Sequence, residues 1–298
     1  MTLVKLAQRH PRLLDWSIRL DRAPAWQWLA LLAAALTPTW AWMARRLVDG
    51  SDDPLGLLAL ATLAVLVVQR RHVLRVSPRL GWLLLALAGT VLATATRGAL
   101  PALLTSLLSV LALACGLLAF VPTHGVQRVP ALPVVGLAVL ALPLLSSLQF
   151  YAGYPLRVLT AEASRWLLAP FFTVLREGST LLVDGRMVIV DAPCSGVQMA
   201  WLGYFSACAV ALWAQRDGRS FLARLPVVGV LVLLGNVLRN SLLVAAEGAG
   251  QPLAPWAHQA LGLLLLALVC GGIARAMAGQ RLPAFSTPRF TTYGGHHA

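Results

Sequence analysis

Long apolar runs separated by short polar segments recur along nearly the whole chain of 298 residues. Most runs approach the length of a helix that crosses a hydrocarbon core roughly 30 Å thick, although several are short for it. The pattern therefore predicts an all-α polytopic membrane protein with about eight transmembrane helices. These predicted helices cover residues 25–43, 54–69, 80–96, 100–121, 131–150, 195–214, 225–246 and 257–277.

The longest polar interruption, residues 151–193, lies between the fifth and sixth predicted helices. Apolar positions recur at helical spacing over residues 155–174, which predicts a helix that lies in the membrane interface or packs across the mouth of the bundle. Asp184-Gly185 then stands between two β-prone runs within residues 179–190, a sequence typical of a two-residue β-hairpin. The loop therefore predicts a small external helix and hairpin directly before Asp191-Ala-Pro-Cys194.

The distribution of charge predicts an orientation. The chain is 58% hydrophobic and 12% charged, with a net charge of +13, and its arginines cluster in short loops rather than on a surface suited to nucleic acid. Sixteen basic residues against three acidic ones lie on one predicted side, and seven against eight on the other. The positive-inside rule then places both termini in the cytoplasm. We expect the protein to lie in the bacterial inner membrane. A basic N-tail (1–24) and a C-terminal tail (279–298) flank one membrane domain (25–278).

This orientation separates the four cysteines. Cys115, Cys208 and Cys270 fall in the inner halves of predicted helices, where cysteine is usually a small apolar filler. Cys194 alone lies at the outer surface, in a first helical turn where free N–H groups and the helix dipole favour a thiolate. His258 is the only histidine predicted on that side. The cysteine spacings predict neither a zinc site nor a disulfide framework, and we expect no metal or cofactor.

Arg239 is the only charged residue well inside a predicted helix, about 12 Å from the outer end at 1.5 Å per residue. A charged residue buried in a membrane usually has a function. Two other interpretations of Arg239 stay open: it forms a structural ion pair, or its side chain snorkels to the membrane interface. Asn236, one turn earlier, could orient a substrate carbonyl or the guanidinium, or could join two helices. We therefore predict one outward-facing site in which Cys194 is the nucleophile, Arg239 the cation and His258 the base. The alternative for His258 is a histidine that lies at the membrane interface without a catalytic role.

Three motifs stand in a fixed order along the chain: Cys194-Ser195-Gly196, Asn236-Val-Leu-Arg239, and His258 at the start of the last helix. Together they resemble the exosortase/archaeosortase family of membrane-embedded sorting transpeptidases. Asp52-Asp53-Pro54 resembles the early span of that family, and the resemblance extends from about Trp40 to the end of the last helix. Pro193, Gln198 and Asn240 depart from the usual residues, which leaves the subfamily and its sorting signal open.

The resemblance implies an enzyme that cleaves a C-terminal sorting signal of secreted proteins. That signal is a short Pro-Glu-Pro-like motif, an apolar helix and a basic cluster, and the product is transferred to a surface acceptor such as a polysaccharide or a lipid-linked group. Cys194 would form an acyl-thioester, His258 would act as general base and then acid, and Arg239 would stabilise the oxyanion or the thiolate. Ser195, Gly196 and Asn236 would contact substrate or support these groups.

Two other classes of function stay open. One is a non-enzymatic polysaccharide-export or transporter-like subunit in which Arg239 lines a pathway, although the sequence has no second intramembrane charge and no internal repeat with paired broken helices. The other is a membrane acyltransferase that uses the same cysteine. The implied partners are the lipid bilayer and membrane-anchored protein substrates, and nucleic acid is excluded.

Overall fold

A computed structural model describes residues 23–50, 52–122, 125, 128–190, 195–251 and 253–279. Nearly all of the two predicted tails lies outside these residues, and so do the four residues 191–194, among them Cys194. The described chain is mostly helical with one small sheet. In order, the elements are α1 Ala25–Ala35, α2 Thr37–Val48, α3 Leu55–Arg70, α4 Leu80–Ala95, α5 Ala102–Phe120, α6 Ala131–Leu140, α7 Leu145–Leu168, β1 Val174–Glu177, β2 Thr180–Val183, β3 Arg186–Ile189, α8 Val197–Trp213, α9 Gly218–Gly248 and α10 Pro255–Ala278.

The eight predicted spans are not confirmed. Among the described helices, α5, α9 and α10 are long and apolar enough to cross a membrane, and α6 with α7 would make a fourth span if that bent pair is one crossing. The remaining apolar helices, α1, α3, α4 and α8, have 11 to 17 residues. At 1.5 Å per residue they are about 16 to 26 Å long, which is shorter than the hydrocarbon core.

Two predicted helices are each divided by a proline. The first, predicted over residues 25–43, breaks at Leu36 into α1 and α2, with Pro38 in the first turn of α2. Because Pro38 has no N–H to offer the Ala34 carbonyl, the Thr37 hydroxyl donates to that carbonyl instead. The fifth, predicted over residues 131–150, ends at Leu140, and after Pro143 the chain resumes as α7 at 91° to α6.

Helix α7 is longer than expected and replaces two predicted elements. It runs from Leu145 through Pro155 to Leu168, so the predicted interfacial helix over residues 155–174 is the second part of α7 and stops six residues early. In the structure α7 packs against α8 and α9, while α8, α9 and α10 pack against one another. The helix therefore packs against the bundle, and the two arrangements predicted for its second part stay predictions.

The predicted hairpin is confirmed, and a third strand extends it. Strands β2 and β3 pair antiparallel around Asp184 and Gly185, both with positive φ, as a two-residue hairpin turn requires. Strand β1 pairs with β2, giving the order β1-β2-β3. One face of the sheet packs against Ala161 and Leu168 of α7 and Val244 of α9. The sheet therefore rests on α7 and α9, and α9 also carries Arg239.

A buried carboxylate fixes the start of α7. The Asp52 side chain is fully buried and lies 3.5 Å from the Arg46 guanidinium. Ser146, in the first turn of α7, donates to both Asp52 oxygens, from its hydroxyl at 2.9 Å and from its backbone N–H at 3.3 Å. Arg46 also donates to the Ser146 hydroxyl oxygen at 2.6 Å. An ion pair in the second loop of the chain thus sets the position of a helix that begins some ninety residues later.

Candidate active site

The turn that begins α8 is where the Cys-Ser-Gly motif meets the helix bundle. Cys194 itself lies outside the described residues, but Ser195 and Gly196 directly follow it and are buried. Gly196 precedes the first residue of α8 with φ 82°, a backbone conformation that L-residues rarely adopt. A Cβ at Gly196 would lie 2.8 Å from the Asn236 amide group. Only glycine therefore fits this turn, both for its backbone angle and for its contact with α9.

Ser195 connects this turn to α7. Its hydroxyl donates to Gln149 Oε1 at 2.8 Å, and the same hydroxyl oxygen accepts the Val197 backbone N–H at 3.3 Å. Val197 is the first residue of α8, so this second bond satisfies one of the N–H groups that a helix leaves free at its start. The Ser195 side chain thus holds the turn to both helices.

Asn236 connects the same region to the second half of α7. It is 2% exposed, and its Nδ2 group donates to the Thr160 hydroxyl at 3.1 Å. Its backbone carbonyl accepts the side-chain amide of Asn240, one turn later on α9, at 2.9 Å. Asn236 therefore lies behind the Gly196 turn, where it joins α9 to α7, rather than on an open surface. This arrangement agrees with the helix-joining role that the sequence left open.

Gln149 and Thr160 were not identified from the sequence. Each bonds to a residue of the motifs, yet they lie 46 and 76 positions away from those partners in the chain. Gln149 does carry a weak signal, because it is an amide near the end of a long apolar run. Thr160 carries none, since a threonine within a helix is common and its partner depends on how α7 crosses α9.

Arg239 and His258 lie side by side. Arg239 Nη2 is 3.4 Å from His258 Nε2, and both side chains are half-buried. A guanidinium has N–H donors and no acceptor, so the contact is a hydrogen bond when Nε2 carries the imidazole lone pair. In that tautomer Nδ1 carries the proton. Helices α9 and α10 therefore place a guanidinium and an imidazole next to each other.

These two side chains line a cavity of about 360 Å³ between α8, α9 and α10. Gly196 of the cysteine motif is part of its wall, as are Gln198 and Gln259. Farther from His258 along α8 and α10 the lining becomes apolar, with Leu202 and Leu266. The cavity thus has a polar end and an apolar end, which suits a ligand that combines a polar group with an apolar segment.

Gly262 gives the Arg239 guanidinium its space. It lies one turn after His258 on α10, and a Cβ there would lie 3.3 Å from Arg239 Nε. The Arg239 side chain therefore packs against helix backbone as it reaches towards His258. Two larger cavities, of about 600 and 790 Å³, lie among α1, α3, α4 and α5, but their walls are almost wholly apolar and hold none of the predicted site residues.

Chemically, the arrangement offers an imidazole for proton transfer at His258 and a fixed positive charge at Arg239. A neutral imidazole can accept a proton from a thiol, and an adjacent guanidinium can stabilise the negative charge that develops. The structure brings Arg239, His258 and Gly196 to one cavity and places Ser195 and Asn236 immediately behind it. The catalytic roles assigned to Cys194, Arg239 and His258 stay predictions.

Gly196→Ala is expected to lower thermal stability in detergent more than Gly185→Ala. Both glycines have φ 82°, so each alanine incurs the same backbone strain of about 1–2 kcal/mol. Only at Gly196 does the new methyl meet another group, because nothing lies within 4 Å of a Cβ at Gly185. The thermal unfolding midpoints of the two variants measure the difference.

A third variant assigns the extra loss to Asn236. The effect of Gly196→Ala should be smaller in an Asn236→Ala background, with a coupling on the order of 1–2 kcal/mol for residues in contact. Equal midpoints for Gly196→Ala and Gly185→Ala would show that the Asn236 contact does not constrain this turn.

The sequence of most of the predicted membrane domain identifies the family. Residues 42–274 match the family described as transmembrane exosortase (Exosortase_EpsH). No curated protein and no solved structure matches the chain. The matched segment includes the Arg46–Asp52 pair, the sheet, the Gly196 turn and the cavity that holds Arg239 and His258. Because this match covers more than three quarters of the 298 residues, the chain belongs to the transmembrane exosortase family.

Proposed function

We propose that this membrane protein is a cysteine peptidase or transpeptidase that cleaves the C-terminal sorting signal of secreted proteins. The observation that carries the proposal is the contact between Arg239 and His258 on a cavity whose wall includes Gly196. Cys194 precedes Gly196 by two positions in the chain, a separation that a peptide spans in about 7 Å at most. A thiol, a base and a cation are therefore available to one cavity.

The reaction follows from these three groups. His258 accepts the Cys194 thiol proton on a ring nitrogen, and the thiolate attacks the scissile carbonyl carbon to give a tetrahedral oxyanion beside the Arg239 guanidinium. When the oxyanion collapses, the C–N bond breaks and His258 returns the proton to the leaving amine. The enzyme then holds an acyl-thioester. Attack by water gives hydrolysis, and attack by an acceptor nucleophile gives transfer and restores the thiol.

The shape of the cavity supports a membrane-anchored substrate. The Pro-Glu-Pro-like motif of the implied signal is followed by an apolar helix and a basic cluster. Such a segment has a polar peptide at one end and an apolar helix at the other. The lining of the cavity likewise changes from polar, at Arg239 and His258, to apolar, at Leu202 and Leu266. In the proposed orientation both termini lie in the cytoplasm of a bacterium, and the cavity opens towards the periplasm.

A trapped adduct on Cys194 tests the proposal. The probe is a secreted reporter protein that ends in a Pro-Glu-Pro motif, an apolar helix of roughly 20 residues and an arginine cluster. We expect the N-terminal fragment of the reporter to be attached to Cys194 through a hydroxylamine-sensitive thioester, detected by mass spectrometry. A fatty acyl group on Cys194 would instead indicate an acyltransferase. The absence of any adduct, with the reporter intact, would favour a non-enzymatic membrane protein.

A further inference from the structure

The free edge of β3 is the second feature of the molecule with a shape suited to a peptide. Strand β3 is the last element before the cysteine motif, and in the sheet order β1-β2-β3 it has no strand on its outer side. Unpaired edges of this kind are templates for another extended chain, and proteins usually cover or blunt them. In the described part of the chain this edge is uncovered, so its backbone groups are open to an extended ligand.

The hydrogen-bond register shows which groups face outward. The Val190 N–H donates to the Ser179 carbonyl at 3.0 Å, which makes residues 179 and 190 a hydrogen-bonded pair. Such pairs alternate along an antiparallel ladder, so Val188 also bonds to β2. Met187 and Ile189 then direct their N–H and C=O groups away from β2. Neither residue makes a backbone hydrogen bond to any other described part of the molecule.

The position of this edge relates it to the cavity. Strand β1 contacts α7, whereas β3 contacts α9, so the free edge of β3 lies on the α9 side of the sheet. Arg186, the first residue of β3, donates to the Glu247 carbonyl near the end of α9 at 3.3 Å. Helix α9 carries Arg239 and packs against α10, which carries His258. The outer edge of β1, by contrast, lies on the α7 side of the sheet.

We infer that the polypeptide substrate binds as a fourth strand along the free edge of β3. This inference rests on the proposed function. An extended peptide at this edge would exchange backbone hydrogen bonds with Met187 and Ile189, whose side chains are 70% and 55% exposed. Strand addition reads backbone rather than side chains, so it would hold the segment around the scissile bond extended as it enters the cavity. The apolar helix of the substrate would continue into the membrane.

Disulfide cross-linking tests the inference. Met187→Cys is introduced into an enzyme without native cysteines and is combined with the reporter described above, which carries single cysteines at consecutive positions before its motif. Because side chains alternate between the two faces of a strand, we expect disulfides at every second reporter position. The prolines of the probe stand two positions apart, so both can direct their missing N–H away from β3. Cross-links are scored on non-reducing gels.

Leu175→Cys is the matched control. Leu175 lies in the same cross-strand row as Leu182 and Met187, on the same face, and is 64% exposed. It belongs to β1, at the other edge of the sheet, and should give at least tenfold fewer cross-links. Equal cross-linking from Leu175→Cys and Met187→Cys, or cross-linking without a period of two, would overturn strand addition at β3.

A kinetic variant tests the backbone rather than the side chain. Ile189→Pro removes an N–H that points to the free edge of β3, and Val174→Pro removes one that points to the free edge of β1. Loss of one backbone hydrogen bond should raise the KM of Ile189→Pro by up to about tenfold, with kcat nearly unchanged. Val174→Pro should keep its KM, and an equal rise in both variants would count against the inference.

The two proposals fail in different ways. If the cysteine-containing enzyme does not cleave the reporter, the proposed peptidase activity fails whatever the cross-links show. If it cleaves the reporter but Met187→Cys gives no alternating disulfides, the peptidase proposal stands and strand addition is wrong. Alternating disulfides without cleavage would support peptide binding at β3 and overturn the chemistry assigned to the cavity.

Discussion

Replacing Cys194 with alanine or serine is expected to abolish cleavage of a membrane-anchored reporter while leaving the protein inserted and folded. Alanine removes the nucleophile. Serine replaces the sulfur with an oxygen. Because a hydroxyl holds its proton far more tightly than a thiol, a site suited to a thiolate activates the serine hydroxyl poorly. We expect at least a 10³-fold loss for both variants, measured as the rate of reporter cleavage in membranes. Protein levels and thermal unfolding should match those of the wild type.

The other three cysteines provide the controls. Cys208 is buried in α8 and Cys270 lies in α10, each twelve positions beyond Gly196 or His258, which is about 18 Å along a helix. Cys115 belongs to α5, whose residues do not line the site cavity. Cys115→Ala, Cys208→Ala and Cys270→Ala should keep most of the activity. If one of these variants lost cleavage at normal protein levels, the nucleophile would have to be assigned elsewhere.

Arg239→Lys should be severely impaired although it keeps the charge. The guanidinium lies 3.4 Å from His258 and packs against Gly262, so its planar fork is held in one place. Lysine offers a point charge on a flexible stem and cannot reproduce two parallel donors. A group that stabilises an oxyanion contributes about 10² to 10³ in rate, and we expect a loss of that order in kcat. Arg165→Lys, which changes an ion pair with Glu162 on the surface of α7, is the matched control.

His258→Ala should change the pH profile as well as the rate. A general base works only when neutral, so cleavage by the wild type should fall as the pH drops through the range of about 5 to 8 in which imidazoles titrate. The variant should be slow and should lack this decline. Measuring kcat/KM from pH 5 to pH 9 in both proteins checks the assignment. If His258→Ala kept the pH profile of the wild type, another group would be the base.

For Arg239→Lys the contradicting outcome is a cleavage rate equal to that of the wild type, which would make Arg239 a structural residue.

Local signals in the sequence predicted the elements that depend on neighbouring residues. Asp184-Gly185 predicts a hairpin because both positions must adopt positive φ, and the structure has that turn. Strand β1 was not predicted, since only Val174 fell within the helix predicted over residues 155–174 and residues 175–177 were given no element. The Gly178-Ser179 pair between β1 and β2 was the missed signal, because Gly178 also has positive φ.

Features that depend on packing were less accessible. Pro143 disfavours helix locally, but the 91° turn also depends on packing, since α6 contacts mainly α3, α5 and α8 whereas α7 contacts mainly α9. Pro155, an equally strong breaker, remains inside α7. The bonds from Gln149 and Thr160 to the motif residues exist only because α7 crosses α8 and α9. The order of the motifs in the sequence was enough to predict that the cysteine, arginine and histidine belong to one site. The neutral side chains that position the motif residues were found only in the structure.

The Arg46–Asp52–Ser146 cluster imposes an order on the assembly of the protein in the membrane. Ribosomes deliver Asp52 early, and its carboxylate must stay hydrated or paired until Ser146 arrives more than ninety residues later. Only then can α7 settle, and α7 carries the Gln149 and Thr160 contacts that hold the cysteine turn. The region around the Gly196 turn therefore forms after this anchor. A chain interrupted between α3 and α6 should yield an inserted protein that lacks a working site.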